Sequence, residues 1–407
     1  MGQETMRPLA ELIGYQEGKA LLMESVKPIN RTETVDLLSC VDRVLAENVI
    51  SDQDVPPFAR AAMDGYAVMA ESTFGAGRFE PKRLDVIGNL HAGDAPDVTV
   101  TKESCVQIAT GAPMPDGANA VVMVEETERD GEAVNIFKPV YPGQFAAPQG
   151  QDIKTGGVMF EAGTYLSPAK VGVIAALGKT HAICYACPQI SVMPTGNEVV
   201  PPGKPLGTGQ IYDINSYTLA ALIKEHGCVP MMSSIVPDQK DEIRARISGA
   251  LDDNDMVMLA GGSSVGERDL IIHVLEEMGE LKFHGIAVKP GRPTLCAVID
   301  GKLVIGMPGY PTSCLSNGYG FMVDAWRMLA RLPSYEPRIV ETTLAHRVTS
   351  TLGRHQYLMV RLEDGQATQA FKESGAITSM AMADGYIEIP ERMDLVEKGT
   401  EVAVILF

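Results

Sequence analysis

At 407 residues the chain exceeds one ordinary core; at about 150 residues per domain it holds two to four. Apolar residues make up 45% and charged residues 21%, a globular composition that excludes the disordered and fibrous classes. A net charge of −18 opposes nucleic-acid backbones and anionic lipid at long range, while a single anionic ligand can still be held by local donors.

The first six residues, Met1 to Met6, show no basic region, no apolar signal core and no myristoylation pattern. Apolar runs such as 171–177 fall far short of the ~20 residues that cross a bilayer. A cytoplasmic protein is expected. Tyr15 to Val26 carries Ala20, Leu21, Leu22 and Val26 among polar residues and predicts a helix, and Leu37 to Glu47 repeats the pattern. Residues 51–65 (SDQDVPPFARAAMDG) are proline-rich and non-periodic, which reads as a functional loop. From 66 to 137 short alternating runs, among them 104–109 and 120–124, predict a β-rich module. Residues 140–157 are Pro/Gly punctuation, and 169–177 resumes a helical pattern, so the β module reads as an insertion into a helical domain.

Residues 188–330 alternate strand and helix. Strands are predicted at 190–193, 229–236 and 255–259, then at Ala287, Leu295 and Leu303. Helices are predicted at 215–226 (with Asn215 as N-cap), 239–251, 270–278 and 311–329. This predicts a three-layer α/β domain with a mostly parallel sheet and ligands beyond the C-terminal strand ends. After a linker at 331–337, the rest reads as short strands with no helix, a small β-barrel or sandwich. The expected domains are 1–52 with 153–186 (helical), 53–152 (β-rich), 187–331 (α/β) and 336–407 (C-terminal barrel).

Seven scattered cysteines (Cys40, Cys105, Cys184, Cys187, Cys228, Cys296, Cys314) suggest no disulfide framework, and the lone Cys184-Tyr185-Ala186-Cys187 reads as thiols beside a strand. No histidine pair has zinc spacing, and there is no GxSxG, GxxxxGK[ST] or GxGxxG.

Four loops are expected where α/β strands end: Thr195-Gly196-Asn197-Glu198, Gly261 to Asp269 (GGSSVGERD), Lys289-Pro290-Gly291-Arg292-Pro293, and Met307 to Ser313 (MPGYPTS). Glycine lets backbone approach a ligand closely, and clustered N–H groups bind anions without net charge. One such loop is commonly a structural turn, and a single Lys289 or Arg292 is commonly a solvated charge. Four on one sheet edge favour a phosphate-bearing ligand. The carboxylates Asp64, Asp152, Glu198, Asp213, Asp238 and Asp269 are hard oxygen donors of the kind Mg²⁺ takes, although Asp213 and Asp238 also suit helix caps.

The segments PPFARAAMDGYAV, IATGAPMPDGANAVV, MPTGNEVVPPGKPLGTGQIYDIN, AGGSSVGERD, VKPGRP and GMPGYPTS, in this order, closely resemble the molybdopterin molybdenumtransferases, meaning the bacterial MoeA proteins and the C-terminal domain of gephyrin. The resemblance covers nearly the whole chain. It implies a homodimer of four-domain protomers that performs the final step of molybdenum cofactor synthesis. In that step adenylylated molybdopterin is cleaved with a divalent cation, usually Mg²⁺, AMP leaves, and molybdenum from molybdate enters the dithiolene. A molybdopterin adenylyltransferase is the implied substrate donor. The implied cleft lies between the α/β domain of one protomer and the β module of the other.

Carried over by motif, Asp64, Asp152, Glu198, Asp238 and Asp269 are the implied catalytic carboxylates, with Asp64, Glu198 and Asp269 as metal ligands. Thr110, Thr195, Gly196, Asp213, Gly261, Gly262, Ser263, Ser264, Gly266, Pro308 and Gly309 would bind the pterin substrate. Lys289, Arg292, Pro293, Ser313, Arg354 and Ser374 would bind molybdate, a tetrahedral dianion that needs convergent cations and hydroxyls. Three positions depart from the family pattern. Phe145 to Gly150 (FAAPQG) replaces an often arginine-rich stretch, Arg292 stands where lysine is frequent, and Tyr310 stands where asparagine is frequent. Tungstate as the oxyanion, and a gephyrin-type scaffold without catalysis, are the alternatives.

Overall fold

Met256–Ala260 (MVMLA) is buried at every position, as a strand covered on both faces must be. Its side chains alternate between two cores: Met256, Met258 and Ala260 join one cluster, Val257 and Leu259 the other. It lies inside a six-stranded sheet ordered Val229–Met232, Gln189–Pro194, Met256–Ala260, Lys302–Met307, Leu295–Ile299 and Glu280–His284. The first four strands are mutually parallel, and the last two join by antiparallel pairings, so Leu295–Ile299 alone runs against the others. Helices Lys240–Asp253 and Leu270–Met278 bury Ile243, Ile247, Leu251, Ile271, Val274 and Leu275 on one face. Helix Asn215–Glu225 and the long helix after Pro311 cover the other, with Trp326 and Phe321 fully buried.

The computed structural model describes residues 12–261, 270–370 and 376–407. They divide into two compact units: one comprises Met1–Thr34, Asp42–Val44 and Ile183–Phe407, the other Val35–Val41 and Leu45–Ala182. Helix Tyr15–Ser25 therefore belongs to the first unit, and helix Pro168–Ala176 to the second.

In the second unit the β module is a six-stranded mixed sheet ordered Ala120–Met123, Gly65–Val68, Ser104–Ile108, Lys82–Leu90, Ala133–Ile136 and Thr127–Asp130. In the first unit, beyond the α/β sheet, the C-terminal region closes a five-stranded barrel. His355–Glu363 pairs with Gln366–Gln369, then Ile339–Leu344, Glu401–Leu406 and Gly385–Ile389 follow, and the last strand pairs back onto His355–Glu363. Closure leaves no free barrel edge.

Four local expectations need correction. Leu37–Cys40 is a single 3₁₀ turn, not the start of a helix to Glu47. The Asp36 side chain accepts from Leu38 N and Ser39 N, Val41 is extended, and Leu38 stays 90% exposed. Helix Asn215–Glu225 begins at Asn215, and the carboxylate of Asp213 caps it by accepting from Ser216 N at 3.0 Å. Strand Glu280–His284 was not anticipated; it lies at the sheet edge and alternates polar residues with Leu281 and Phe283. A short helix, Thr378–Ala381, interrupts the C-terminal strands.

The expected helix 311–329 is continuous but widens into a π turn at Gly318–Met322, between Pro311–Asn317 and Val323–Leu329. The turn sits where glycine is required: a Cβ on Gly320 would lie 2.2 Å from the Tyr357 ring. The Gly320 carbonyl accepts from the Tyr15 hydroxyl at 3.0 Å, which in turn accepts from the Tyr357 hydroxyl at 2.7 Å. His355 stacks on Tyr15 with ring centroids 4.0 Å apart.

Burial holds the imidazoles of His355 and His226 down to about 4. Both stay neutral in the fold, whereas the unfolded chain takes up protons below about pH 6.5. Their contribution is complete above that value and lost as pH falls toward 4. Glu388, whose carboxyl burial pushes up, opposes them in the lower part of this window. The urea midpoint should therefore fall between pH 7 and pH 5, and His226→Gln should flatten the slope. A flat wild-type midpoint over that range would refute the assignment.

Candidate active site

The register of the parallel strands builds the site edge. Pro194 lies beside Ala260, and Ala260 beside Met307, so Thr195, Gly261 and Pro308 leave the sheet side by side. Val236 N donates to Pro194 O at 2.9 Å and Val236 bridges Thr195, which brings Asp238 to the same edge two residues later. Leu295 pairs with Gly306, so Pro293 and Thr294 enter the sheet there too.

Each loop has a local reason for its sequence. Gly196 has φ +119°, a backbone conformation that favours glycine, and the Glu198 carboxylate folds over it, its Oε2 2.7 Å from where a Cβ would lie. Gly261 has φ +118° and packs against Thr195, where a Cβ would lie 3.2 Å from the carbonyl oxygen. Pro311 opens its helix, and Thr312 and Ser313 in the first turn are buried. Asn215 Nδ2 donates to Gly309 O at 2.9 Å and pins the Pro308-Gly309 turn to the helix capped by Asp213.

The basic residues gather on the same side. The two-residue strand Val288–Lys289 pairs in parallel with His355–Gln356, which sets Lys289 beside the barrel loop that carries Arg354. Lys289 Nζ donates to Thr351 Oγ1 at 3.2 Å, and Arg354 N to Thr351 O at 3.2 Å. Arg292 Nε is buried without a hydrogen-bond partner among the described residues, as are Thr195 Oγ1, Ser216 Oγ and Asn215 Oδ1. Buried polar atoms of this kind are costly unless something satisfies them, and a polar ligand at this edge would.

Asp64, Thr110 and Asp152 lie in the other compact unit. Thr110 donates to Asp64 Oδ1 from its N–H at 2.6 Å and from its hydroxyl at 2.9 Å, and these bonds hold the exposed carboxyl below the usual carboxylate range. Glycine follows Asp64 because a Cβ on Gly65 would lie 1.8 Å from Val122 O of the adjoining strand. Asp152 donates its N–H to Val55 O at 3.0 Å, and among the described residues no hydrogen bond joins it to Asp64. At the departure from the arginine-rich pattern, Ala146–Ala147 pairs with Arg60–Ala61, and Arg60 faces Ala147 across the ladder. Gly262, Ser263, Ser264, Gly266, Asp269 and Ser374 lie outside the described residues.

Among the described residues no three His, Cys, Asp or Glu side chains gather to hold a metal ion. No disulfide joins the cysteines among the described residues, and burial raises Cys187 above its ordinary value, so it is not primed as a nucleophile. A cavity of about 230 Å³ opens at the opposite, N-terminal end of the strands, but its Arg31 is already paired with Asp255. Among the described residues no helix is long and apolar enough to cross a membrane.

Residues 13–178 match the MoeA N-terminal region (domain I and II), 191–325 the probable molybdopterin binding domain, and 341–407 the MoeA C-terminal region (domain IV). A putative molybdopterin biosynthesis protein of Methanocaldococcus jannaschii is 32% identical over 405 residues, 98% of this chain and 96% of its own. The molybdopterin molybdenumtransferase of Haemophilus influenzae is 33% identical over 309 residues, 76% of this chain and 75% of its own.

The chain belongs to the MoeA family of molybdopterin molybdenumtransferases. A crystal structure of a MoeA protein from Pyrococcus horikoshii superposes with a TM-score of 0.85 at 39% identity, over 97% of this chain and 99% of that one. This MoeA chain is thus an enzyme of molybdenum cofactor biosynthesis, built on the multidomain α/β fold with a closed C-terminal barrel. Its motifs point to the loops but not to three of the residues that tie them together, Thr351, Thr294 and Asn317, which lie outside every motif that marks the site. Asn215 closes one motif and reads there as a cap; its tie to Gly309 is not legible in it.

Proposed function

We propose that the chain inserts molybdenum from molybdate into adenylylated molybdopterin and releases AMP, acting as a homodimer. The observation that carries this reading is the strand register. It gathers Thr195, Gly196, Gly261, Pro308 and Gly309 with the loop of Lys289 and Arg292 on one sheet edge.

Backbone N–H groups of the glycine turns and of the helix start at Pro311 hold the phosphates. Water breaks the phosphoanhydride, giving AMP and molybdopterin, which keeps its own phosphate. Glu198, folded over Gly196, lies where it can orient that water. A Mg²⁺ bound largely through substrate phosphates needs only one or two carboxylates, which fits the oxygen donors of Glu198 and Asp64, and it would neutralise phosphate charge. Lys289, Arg292, Pro293, Ser313 and Arg354 enclose the molybdate dianion. Two thiols of the pterin replace oxo groups, each oxo group leaving as water after taking up protons. Asp64 and Thr110 of a second copy, with Asp152, complete the cleft.

AMP release should be measured from adenylylated molybdopterin and Mg²⁺ with molybdate, with tungstate and with neither. Release that depends on molybdate is expected. Dependence on tungstate alone would reassign the metal, and here Tyr310, 65% exposed at the helix start, is the first residue to exchange. No release in any arm from a folded dimer would overturn the reading in favour of a scaffold.

A further inference from the structure

The residues expected to meet the oxyanion come from separate elements. Lys289, Arg292 and Pro293 ride on one segment, Ser313 on helix Pro311–Asn317, and Arg354 on a barrel loop. A tetrahedral ion read by groups on separate elements is bound well only if their spacing is fixed.

One side chain fixes it. Asn317, the last residue of that helix, is fully buried. Its Nδ2 donates to Gly291 O at 3.0 Å and to Thr294 Oγ1 at 2.6 Å. Thr294, also fully buried, donates its hydroxyl back to Gly291 O at 2.9 Å. The three groups form a closed ring that uses both amide protons of Asn317. The amide also fills the space of a side chain at residue 291: with φ +109°, a Cβ there would lie 2.4 Å from Nδ2. Backbone bonds from Gly285 N to Thr294 O at 2.8 Å and from Ile286 N to Arg292 O at 3.0 Å hold the loop from its other side. The ring leaves two polar atoms unsatisfied, since Asn317 Oδ1 and Arg292 Nε are both buried with no partner among the described residues. Asn317 follows Ser313 by four residues, one helical turn along the same face.

We infer that Asn317, through Thr294 and Gly291, is the positioning residue that sets the distance of Lys289 and Arg292 from Ser313 and so determines affinity for the oxyanion. The inference rests on the proposed oxyanion role of that loop. Groups that orient ligand-binding residues through hydrogen bonds change affinity by about 10–100-fold when removed.

The test uses the full-length protein and the variants Asn317→Leu, Thr294→Val and Thr294→Ser. Molybdate binding is read by calorimetry. The half-saturating molybdate and the KM for adenylylated molybdopterin are read from AMP release. Asn317→Leu and Thr294→Val should weaken molybdate about tenfold, with the KM for the pterin substrate unchanged, and Thr294→Ser, which keeps the hydroxyl, should restore wild-type affinity. Thr294→Val, which keeps the side-chain shape, carries the test if Asn317→Leu does not fold. Unchanged molybdate affinity in Thr294→Val, or equal loss for both substrates, would overturn the role of the ring. If wild-type AMP release ignores molybdate, the proposed reaction fails; calorimetry still decides whether the ring tunes oxyanion binding, and a wild type that binds no molybdate overturns both.

Discussion

Replacing Lys289 and Arg292 together by alanine should cut oxyanion-dependent turnover by about 10²–10³-fold while the chain still folds. The loss is large because the ligand is a dianion, and charge-assisted bonds from a half-buried ammonium and guanidinium are the strongest such a site offers. The fold survives because neither side chain holds the loop. Lys289 contributes one hydrogen bond, to Thr351 Oγ1, and Arg292 Nε contributes none among the described residues. The backbone bonds to Ile286 and Gly285 and the amide of Asn317 stay in place. Arg292→Lys should lie between wild type and alanine, since it keeps the charge and loses the planar fork. Turnover against molybdate concentration, beside a thermal melt, checks this. A double variant with normal turnover would remove both residues from the oxyanion site.

The second large effect is expected in the β module. Gly65→Ala should destabilise it by about 3 kcal/mol. The inserted Cβ meets Val122 O at 1.8 Å, a backbone atom of a neighbouring strand. Gly65 is paired with Ile108 on one side and Met123 on the other, so its strand cannot yield without breaking a ladder. Because Val124 N donates to Asp64 O at 3.1 Å, displacing this strand also displaces Asp64. Asp64→Asn keeps the shape of an exposed side chain and should leave stability nearly unchanged, so paired urea melts separate glycine packing from carboxylate chemistry. Equal midpoints for Gly65→Ala and wild type would refute the packing argument.

The α/β half of the fold was legible in the sequence because its signals are strong: a fully apolar strand such as Met256–Ala260 between amphipathic helices has few alternatives. The pattern at Leu37 to Glu47 misled because periodicity ignores competing local bonds. The carboxylate of Asp36 captures the first N–H groups, and Asp42 takes φ +63°, so no second turn forms. Glu280–His284 alternates polar and apolar side chains, but it was missed because it spans only five residues and follows helix Leu270–Met278 after a single glycine. At the site, motifs located the glycine and basic loops, since close backbone approach restricts residue choice. They could not locate Asn317 or Thr294. An asparagine in a helix and a threonine before a strand are unremarkable until register brings Leu295 beside Gly306. Asp152 remains apart from Asp64 in hydrogen bonding among the described residues, although the same family pattern marks both.

The pairing of Val288–Lys289 with His355–Gln356 bears on how this chain can be recombined. A barrel of 337–407 spliced in from another source would bring its own first long strand, and with it a new alignment of the backbone beneath Lys289. Seventy-one residues that follow the glycine turns in sequence would thereby retune a cation that they meet through Thr351. Chimeras should exchange 286–294 together with the barrel as one cassette, because the ladder makes them a single inherited part.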